Sequence, residues 1–125
     1  MLKEMNAMAT IAVKEVARSR KFYEGQLGLQ ADGPGEPGLA AYRSGGSTLM
    51  LYESAFAGSN RATCATWAVT DGIESLVQSL KERGVAFEHY DLPQTTRQGD
   101  IHVSGARKTA WCKDPDGNIL CFAQD

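Results

Sequence analysis

Residues 9–29, "ATIAVKEVARSRKFYEGQLGL", recur in altered form at residues 65–85, "ATWAVTDGIESLVQSLKERGV". At a constant offset of 56 and without gaps, the two stretches share six identities in 21 positions. That number is several times what shared composition gives, and the glycines near the two ends, Gly28 and Gly84, also align. The repeat therefore predicts a tandem duplication of one structural unit.

The second copy predicts a short strand followed by an amphipathic helix. Asp71 and Glu74 have the spacing of a capping box, so the sequence predicts that Asp71 is the N-cap of this helix. Apolar residues then recur at helical spacing and predict one buried face: Ile73, Leu76, Val77 and Leu80. Trp67, in the preceding strand, is predicted to pack under a helix.

The first copy predicts the same order of elements. Its buried helical side is predicted to consist of Val16, Phe22, Tyr23 and Leu27. Arg20 and Glu24 are spaced for an ion pair on the solvated face. Gly28 and Gly84 end the two helices, and each is expected to adopt the left-handed conformation of a C′ residue.

Shorter strand-like runs follow each helix. They cover about residues 30–33, 38–43 and 47–53 after the first helix, and about 85–90, 108–113 and 118–123 after the second. Glycine-rich turns separate them, including Asp114-Pro115-Asp116-Gly117 before the last strand. Residues 91–107 are predicted to form a long irregular loop that serves as a lid or pocket wall.

These runs predict an α+β fold of two tandem βαβββ modules with mostly antiparallel sheets. We expect a single domain, residues 1–125, with module one at about 6–53, a linker at 54–62 and module two at about 63–125.

Composition limits the classes of function. The chain has 125 residues, a formal net charge of −2 and 42% hydrophobic residues. This balance predicts neither nucleic-acid binding nor attraction to an anionic membrane, and no apolar run is long enough to span a bilayer. The N-terminal residues are too polar for a signal peptide, and three cysteines favour reduced thiols over a disulfide framework. A cytoplasmic protein is expected.

Two motifs carry a family resemblance. The duplicated module, "SRKFYEGQLGL" after the first strand and "WCKDPDGNIL" before the last together resemble the vicinal oxygen chelate superfamily, over essentially the whole chain. That superfamily includes glyoxalase I, extradiol dioxygenases, and fosfomycin and bleomycin resistance proteins. The resemblance implies two modules whose sheets curl as half-barrels around a ligand cavity, and a homodimer in which both chains supply cavity walls.

The resemblance also implies where metal-dependent members carry their four ligands. These positions correspond to Met8, Met50, Cys64 and Cys121, and none is a histidine or a carboxylate. Divalent ions of the hard or borderline class bind thioethers poorly, so we predict no metal and no other cofactor. A soft site for Cu(I) or another thiophilic ion is the alternative, while the simpler interpretation is that these side chains fill an apolar cavity.

Strand alternation predicts the rest of the cavity lining. Thr10 and Thr66 share a face with Met8 and Cys64, and Tyr52 shares a face with Met50. Either Trp111 or Cys112 lies across from Cys121, because the register of the last hairpin is not fixed by sequence. His102, in the predicted loop, is a candidate general base, although a loop histidine more often faces solvent.

Two functions are compatible with these features. The first is a metal-independent protein that binds a small organic molecule in a dimer cavity, as in the bleomycin resistance branch. The second is a glyoxalase- or dioxygenase-like enzyme with lyase or isomerase chemistry, either metal-free, using His102 or a cysteine, or with an atypical soft-metal site. A cysteine in an apolar pocket is a poor nucleophile, which favours binding.

Overall fold

The computed structural model describes residues 1–125 and has the α+β architecture predicted from the sequence. A short 3₁₀ turn at Leu2–Glu4 precedes the first module, which contains β1 (Ala9–Val13), α1 (Val16–Arg20) with a π-helical continuation at Lys21–Gln26, β2 (Gln30–Ala31), β3 (Leu39–Ser44) and β4 (Ser47–Glu53). The second contains β5 (Thr63–Ala68), α2 (Ile73–Glu82), β6 (Phe87–Glu88), β7 (Thr96–Gln98), β8 (Ile101–Ser104), β9 (Arg107–Lys113) and β10 (Ile119–Gln124). Neither helix has the length and apolar composition needed to cross a bilayer.

Each module forms its own mixed, mostly antiparallel sheet. The strand order is β1-β4-β3-β2 in the first sheet and β5-β10-β9-β8-β7 in the second, where β6 also pairs with β9. The duplication is visible in the pairing, because β1 runs parallel to β4 with Thr10 opposite Met50, and β5 runs parallel to β10 with Thr66 opposite Cys121. The two sheets do not close on each other, so enclosure by two curled half-barrels stays a prediction.

The prediction of an irregular loop over residues 91–107 is wrong. Strands β7 and β8 lie within this range and form a hairpin, with Gln98 opposite Ile101. The two-residue connection contains Gly99, whose φ is 64°, and Asp100. A glycine-containing dipeptide between two short strand-forming runs is a recognised hairpin signal, so the information was present in the sequence.

The prediction that Asp71 caps α2 is also wrong. Gly72 occupies the N-cap position with a φ of 76°, and no side chain of the local sequence caps the helix. Instead, Gln124 Oε1 on β10 accepts a hydrogen bond from the backbone N–H of Ile73 at 2.9 Å. The first module has the equivalent capping hydrogen bond, since Glu53 Oε2 on β4 accepts from the backbone N–H of Val16 at 3.0 Å. The last strand of each module therefore caps the helix of that module.

The predicted helix ends and helix faces are confirmed. Gly28 and Gly84 have φ values of 73° and 90°, the left-handed conformation that a C′ residue needs. Eighteen buried residues from both modules form one core cluster, in which the helices are represented by Val16, Phe22, Tyr23, Ile73, Val77 and Leu80. Leu27 and Leu76 are partly buried against this cluster.

The Asp-Pro-Asp-Gly turn joins the two modules. Asp116 accepts a hydrogen bond from the backbone N–H of Lys14 at 3.0 Å and forms an ion pair with Arg18 of α1. Asn118 Nδ2 donates to the carbonyl oxygen of Ala12 at 2.8 Å. A turn that the sequence marks only as a hairpin connection thus holds the second sheet against β1 and α1.

Candidate functional site

A cavity of about 380 Å³ lies on one face of the second sheet. Four of the residues predicted to contact a ligand line it: Thr66, His102, Trp111 and Cys121. The other lining residues are Leu92, Thr95, Ser104, Arg107, Thr109 and Ala123. The wall combines an aromatic ring, aliphatic groups, a thiol, hydroxyls and one guanidinium group, which is a suitable lining for an organic molecule with polar substituents.

The strands put these side chains on the face opposite α2. In β9 and β10 the core cluster contains Ala110, Cys112, Leu120 and Phe122, whereas the alternate residues line the cavity. Cys121 pairs directly with Trp111. The choice left open by the sequence is thereby decided, because Trp111 lies on the cavity side and Cys112 is fully buried on the helix side.

His102 is placed differently from the prediction. It is a β8 residue only 2% exposed, and its ring lies edge-to-face with Trp111 at a centroid distance of 4.9 Å. The N–H of Tyr90 donates to Nε2 at 3.0 Å, which makes Nε2 the acceptor, and Nδ1 lies 3.3 Å from the carbonyl oxygen of Thr109. Both nitrogens are engaged by backbone groups, so His102 contributes a ring surface to the cavity and lacks a free nitrogen for proton transfer.

Cys121 is a buried thiol at the level of Trp111 and Thr66. Burial raises its pKa, while a hydrogen bond with Thr66 and the positive charge of Arg107 act in the opposite direction. The net shift is upward, so the neutral thiol dominates near neutral pH. This arrangement suits a lining residue better than a nucleophile.

Cys64 does not line the cavity. Thr63 pairs with Ile119 and Ala65 pairs with Leu120, so Cys64 is the extra residue of a β-bulge. The bulge breaks the alternation on which the prediction rested, and Cys64 packs against the core cluster with Sγ 3.4 Å from the carbonyl oxygen of Ile119. Burial raises the pKa of this thiol to about 11.

The predicted residues of module one lie on another surface. Thr10 and Met50 are paired across β1 and β4, and Tyr52 follows Met50 on the same face of the first sheet. Met8 precedes β1 and is 50% exposed, and Tyr52 is 40% exposed. Met8, Met50, Cys64 and Cys121 were predicted to converge on one space. Within this chain only Cys121 of the four lines the cavity, and convergence in an assembly of two chains stays a prediction.

The side chains at the positions implied for metal ligands do not fit a metal. Two of the four are thioethers of module one, one thiol packs against the core and the remaining thiol is protonated at neutral pH. No group of three or more histidine, cysteine, aspartate or glutamate side chains is arranged to hold an ion. The donor set therefore offers neither the imidazole and carboxylate ligands of hard ions nor a converged soft site.

A second groove, of about 300 Å³, lies beside α2. Trp67 lines it together with Leu76, Leu80 and Phe122, so the prediction that Trp67 packs under a helix is confirmed. Its single polar lining residue is Ser44, whose Oγ already accepts a hydrogen bond from Trp67 Nε1 at 2.8 Å. Because it lacks free polar groups to orient a ligand, we regard the cavity on the second sheet as the better candidate.

Several cavity residues were not predicted. Once the hairpin register places Trp111 in the cavity, strand alternation puts Thr109 and Arg107 on the same face of β9. Ser104 belongs to β8, a strand that the sequence interpretation missed. Leu92 and Thr95 lie in the segment before β7, where the sequence predicted a pocket wall without naming residues.

Solved structures share this fold. A glyoxalase/bleomycin resistance protein/dioxygenase from Alicyclobacillus acidocaldarius superposes with a TM-score of 0.71 at 19% identity, covering 94% of this chain and 89% of that one. Lactoylglutathione lyase from Agrobacterium tumefaciens gives a TM-score of 0.70 at 12% identity, with coverages of 95% and 92%. Fosfomycin resistance protein FosX from Mesorhizobium loti gives 0.69 at 10% identity, with coverages of 100% and 94%.

Sequence comparison identifies the family. Among curated proteins, none matches this sequence. The profile of the Glyoxalase/Bleomycin resistance protein/Dioxygenase superfamily, in contrast, matches residues 6–122, which cover nearly all of both modules. The chain therefore belongs to the Glyoxalase/Bleomycin resistance protein/Dioxygenase superfamily.

Proposed function

We propose that this chain is a metal-independent small-molecule-binding protein of the glyoxalase/bleomycin resistance type. The observation that carries the proposal is the cavity of about 380 Å³, in which Trp111 and Cys121 supply apolar surface and Thr66 and Thr109 supply hydroxyls. A volume and lining of this kind suit an organic molecule with a ring and a few polar groups.

The chemistry of the lining favours binding over catalysis. A general base needs an accessible nitrogen or carboxylate, and both nitrogens of His102 are engaged by the backbone. A nucleophile needs a thiolate, and burial raises the pKa of Cys121. Lyase or isomerase chemistry, the alternative function, would require a proton acceptor from another source, such as a second chain or the ligand itself.

The exposed face of the first sheet supports a shared cavity. Met8, Thr10 and Tyr52 present exposed apolar and hydroxyl surface on this side of the chain, and Met50 beside them is partly exposed. In the proposed homodimer this face of one chain would lie against the cavity of the other and complete its wall. The four module-one residues would then contact the ligand of the partner chain.

Replacement of Cys121 by tryptophan tests the site. Cys121→Trp fills the cavity and is expected to abolish binding of naphthylbutanol, a neutral aromatic probe, in isothermal titration calorimetry. Overpacking should cost about 1–3 kcal/mol of unfolding free energy. Thr63→Trp adds the same ring at an exposed position of β5 outside the cavity and should leave binding unchanged. Unchanged affinity in Cys121→Trp would place the binding site elsewhere.

A further inference from the structure

Arg107 is the only charged residue that lines the cavity, and no carboxylate lines it. Its Nε is 2.7 Å from Asp125 Oδ1, but the two side chains are 65% and 82% exposed. An exposed ion pair of this kind contributes little, so the anionic group of a ligand can replace Asp125 as the partner of Arg107. The cavity therefore has one positively charged end.

The other end of the cavity is aromatic. The ring of Trp111 is in edge-to-face contact with His102 at 4.9 Å and with Tyr90 at 5.3 Å. These contacts fix the indole in place, and Trp111 remains only partly buried along the cavity wall. A planar ring in the ligand can pack against it at a small entropic cost. Glu88 pairs with Trp111 across β6 and β9, and its charge is balanced by Lys113, whose Nζ is 3.4 Å from Oε1.

Strand geometry sets the separation of the two ends. Arg107, Thr109 and Trp111 alternate along β9 and share the cavity face. The backbone advances by about 3.4 Å per residue in an extended strand, so the Cα atoms of Arg107 and Trp111, four residues apart, are separated by about 14 Å. The register places Ser104 level with Arg107 and Cys121 level with Trp111. The cavity therefore has its aromatic ring near one end and its single formal charge, the guanidinium group, near the other.

We infer that the cavity takes an elongated aromatic carboxylate, whose ring packs against Trp111 while its carboxylate pairs with Arg107. The inference rests on the proposed function, because it assumes that this cavity is the binding site. It adds the class of ligand: an amphipathic organic anion is preferred over neutral and cationic molecules of the same shape. A guanidinium group binds a carboxylate through two parallel hydrogen bonds, which gives the preference a geometric as well as an electrostatic basis.

Three probes of equal shape test this inference by isothermal titration calorimetry: naphthylbutanoate, naphthylbutanol and naphthylbutylamine. The wild-type chain should bind the carboxylate about tenfold more tightly than the alcohol, and the amine most weakly. Arg107→Gln should remove the advantage of the carboxylate over the alcohol. Trp111→Ala should weaken all three.

Lys108→Gln is the matched control. Lys108 is the next residue of β9, points to the other face and pairs with Glu74 of α2, so its replacement removes the same charge outside the cavity. The preference for the carboxylate should persist in this variant. Equal binding of the three probes, or an unchanged preference in Arg107→Gln, would overturn the inference while leaving the proposed site intact. Binding that survives Cys121→Trp would overturn the proposed function, and the absence of binding by all three probes would overturn both.

Discussion

Tyr23 and Asp114, 91 positions apart in the sequence, are joined by a buried hydrogen bond of 2.7 Å from the tyrosine hydroxyl to Oδ2. Tyr23 lies in the helical segment of module one, and Asp114 opens the turn before the last strand of module two. The same carboxylate accepts the backbone N–H groups of Asp116 and Asn118 through Oδ1. One side chain therefore both shapes the turn and ties it to the other module.

Tyr23→Phe should destabilise the chain by about 1–3 kcal/mol, because a buried carboxylate oxygen loses a hydroxyl donor. Urea unfolding measures the change. Tyr42→Phe is the control: its hydroxyl also donates to a carboxylate, Glu24, at 2.8 Å, but that carboxylate is partly exposed and pairs with Arg20. A smaller loss, below about 1 kcal/mol, is expected for the control. Equal effects of the two variants would contradict the role assigned to Asp114.

Gln124→Ala should lower the free energy of unfolding by about 1 kcal/mol, because the N–H of Ile73 at the start of α2 loses its side-chain acceptor. Asp71→Ala should change stability by less than about 0.5 kcal/mol, since Asp71 makes no capping hydrogen bond. Thermal unfolding of the two variants compares the cap in the structure with the cap predicted from the sequence. A larger loss in Asp71→Ala would restore the sequence-based assignment.

Unfolding should become easier as pH rises above about 8.5, the ordinary pKa of a cysteine thiol in an unfolded chain. Burial, with a smaller contribution from Asp114, raises the pKa of Cys112 to about 12, so the native thiol keeps its proton where the unfolded one loses it. Stability from this group is fully present below about pH 8.5 and is lost as pH rises toward the native pKa.

The pH effect has a direct test. Between about pH 7 and about pH 10, Cys112 alone accounts for a loss of about 2 kcal/mol. Urea unfolding at both pH values should show that the unfolding free energy of Cys112→Ala decreases by less than that of the wild-type chain, and the difference should equal this amount whatever the absolute stability of the variant. If the wild-type chain and the variant lost the same stability, the buried thiol would not be the source.

The purified protein should contain no stoichiometric nickel, zinc, iron or manganese. The reason is the donor set: Met8, Met50, Cys64 and Cys121 provide neither imidazole nor carboxylate and do not converge. Elemental mass spectrometry measures the metal content per chain. A chelator should leave the melting temperature of the protein unchanged. About one metal ion per chain would refute this expectation.

The chain should be a dimer in solution, with twice the chain mass of 13.5 kDa in light scattering. The exposed face of the first sheet is the expected contact, because it carries apolar groups that are otherwise left in water. Met50→Glu places a charge on this face and should produce monomers at micromolar concentration. Gln78→Glu, on the exposed side of α2, makes a comparable change elsewhere and should remain dimeric. If the wild-type chain were a monomer in solution, the proposal of a shared cavity would be wrong.

Local patterns predicted much of the fold. The helical faces, the two C′ glycines and the approximate strands of module one follow from side-chain spacing and backbone preference, which act over a few residues. The pairing of Thr10 with Met50 is equivalent to that of Thr66 with Cys121, as a duplication implies, but only the structure supplied the register itself. The hairpin of β7 and β8 was missed: its strands are too short to show alternation, and the Gly99-Asp100 turn was the one local signal for it.

The sequence by itself determined the family, the α+β class and the absence of histidine and carboxylate at the positions implied for metal ligands. Only the tertiary structure decided which side chains meet. The bulge at Cys64 depends on how β5 pairs with a strand 55 residues away, and the engagement of His102 depends on the backbone of Tyr90 and Thr109. The cap of α2 comes from Gln124 on a distant strand, and no local motif reveals it. The spacing of residues along the chain constrains only the relative positions of neighbours within a turn or a strand. The pairing of distant strands fixes their register and the face that each side chain occupies, and these two features define the cavity.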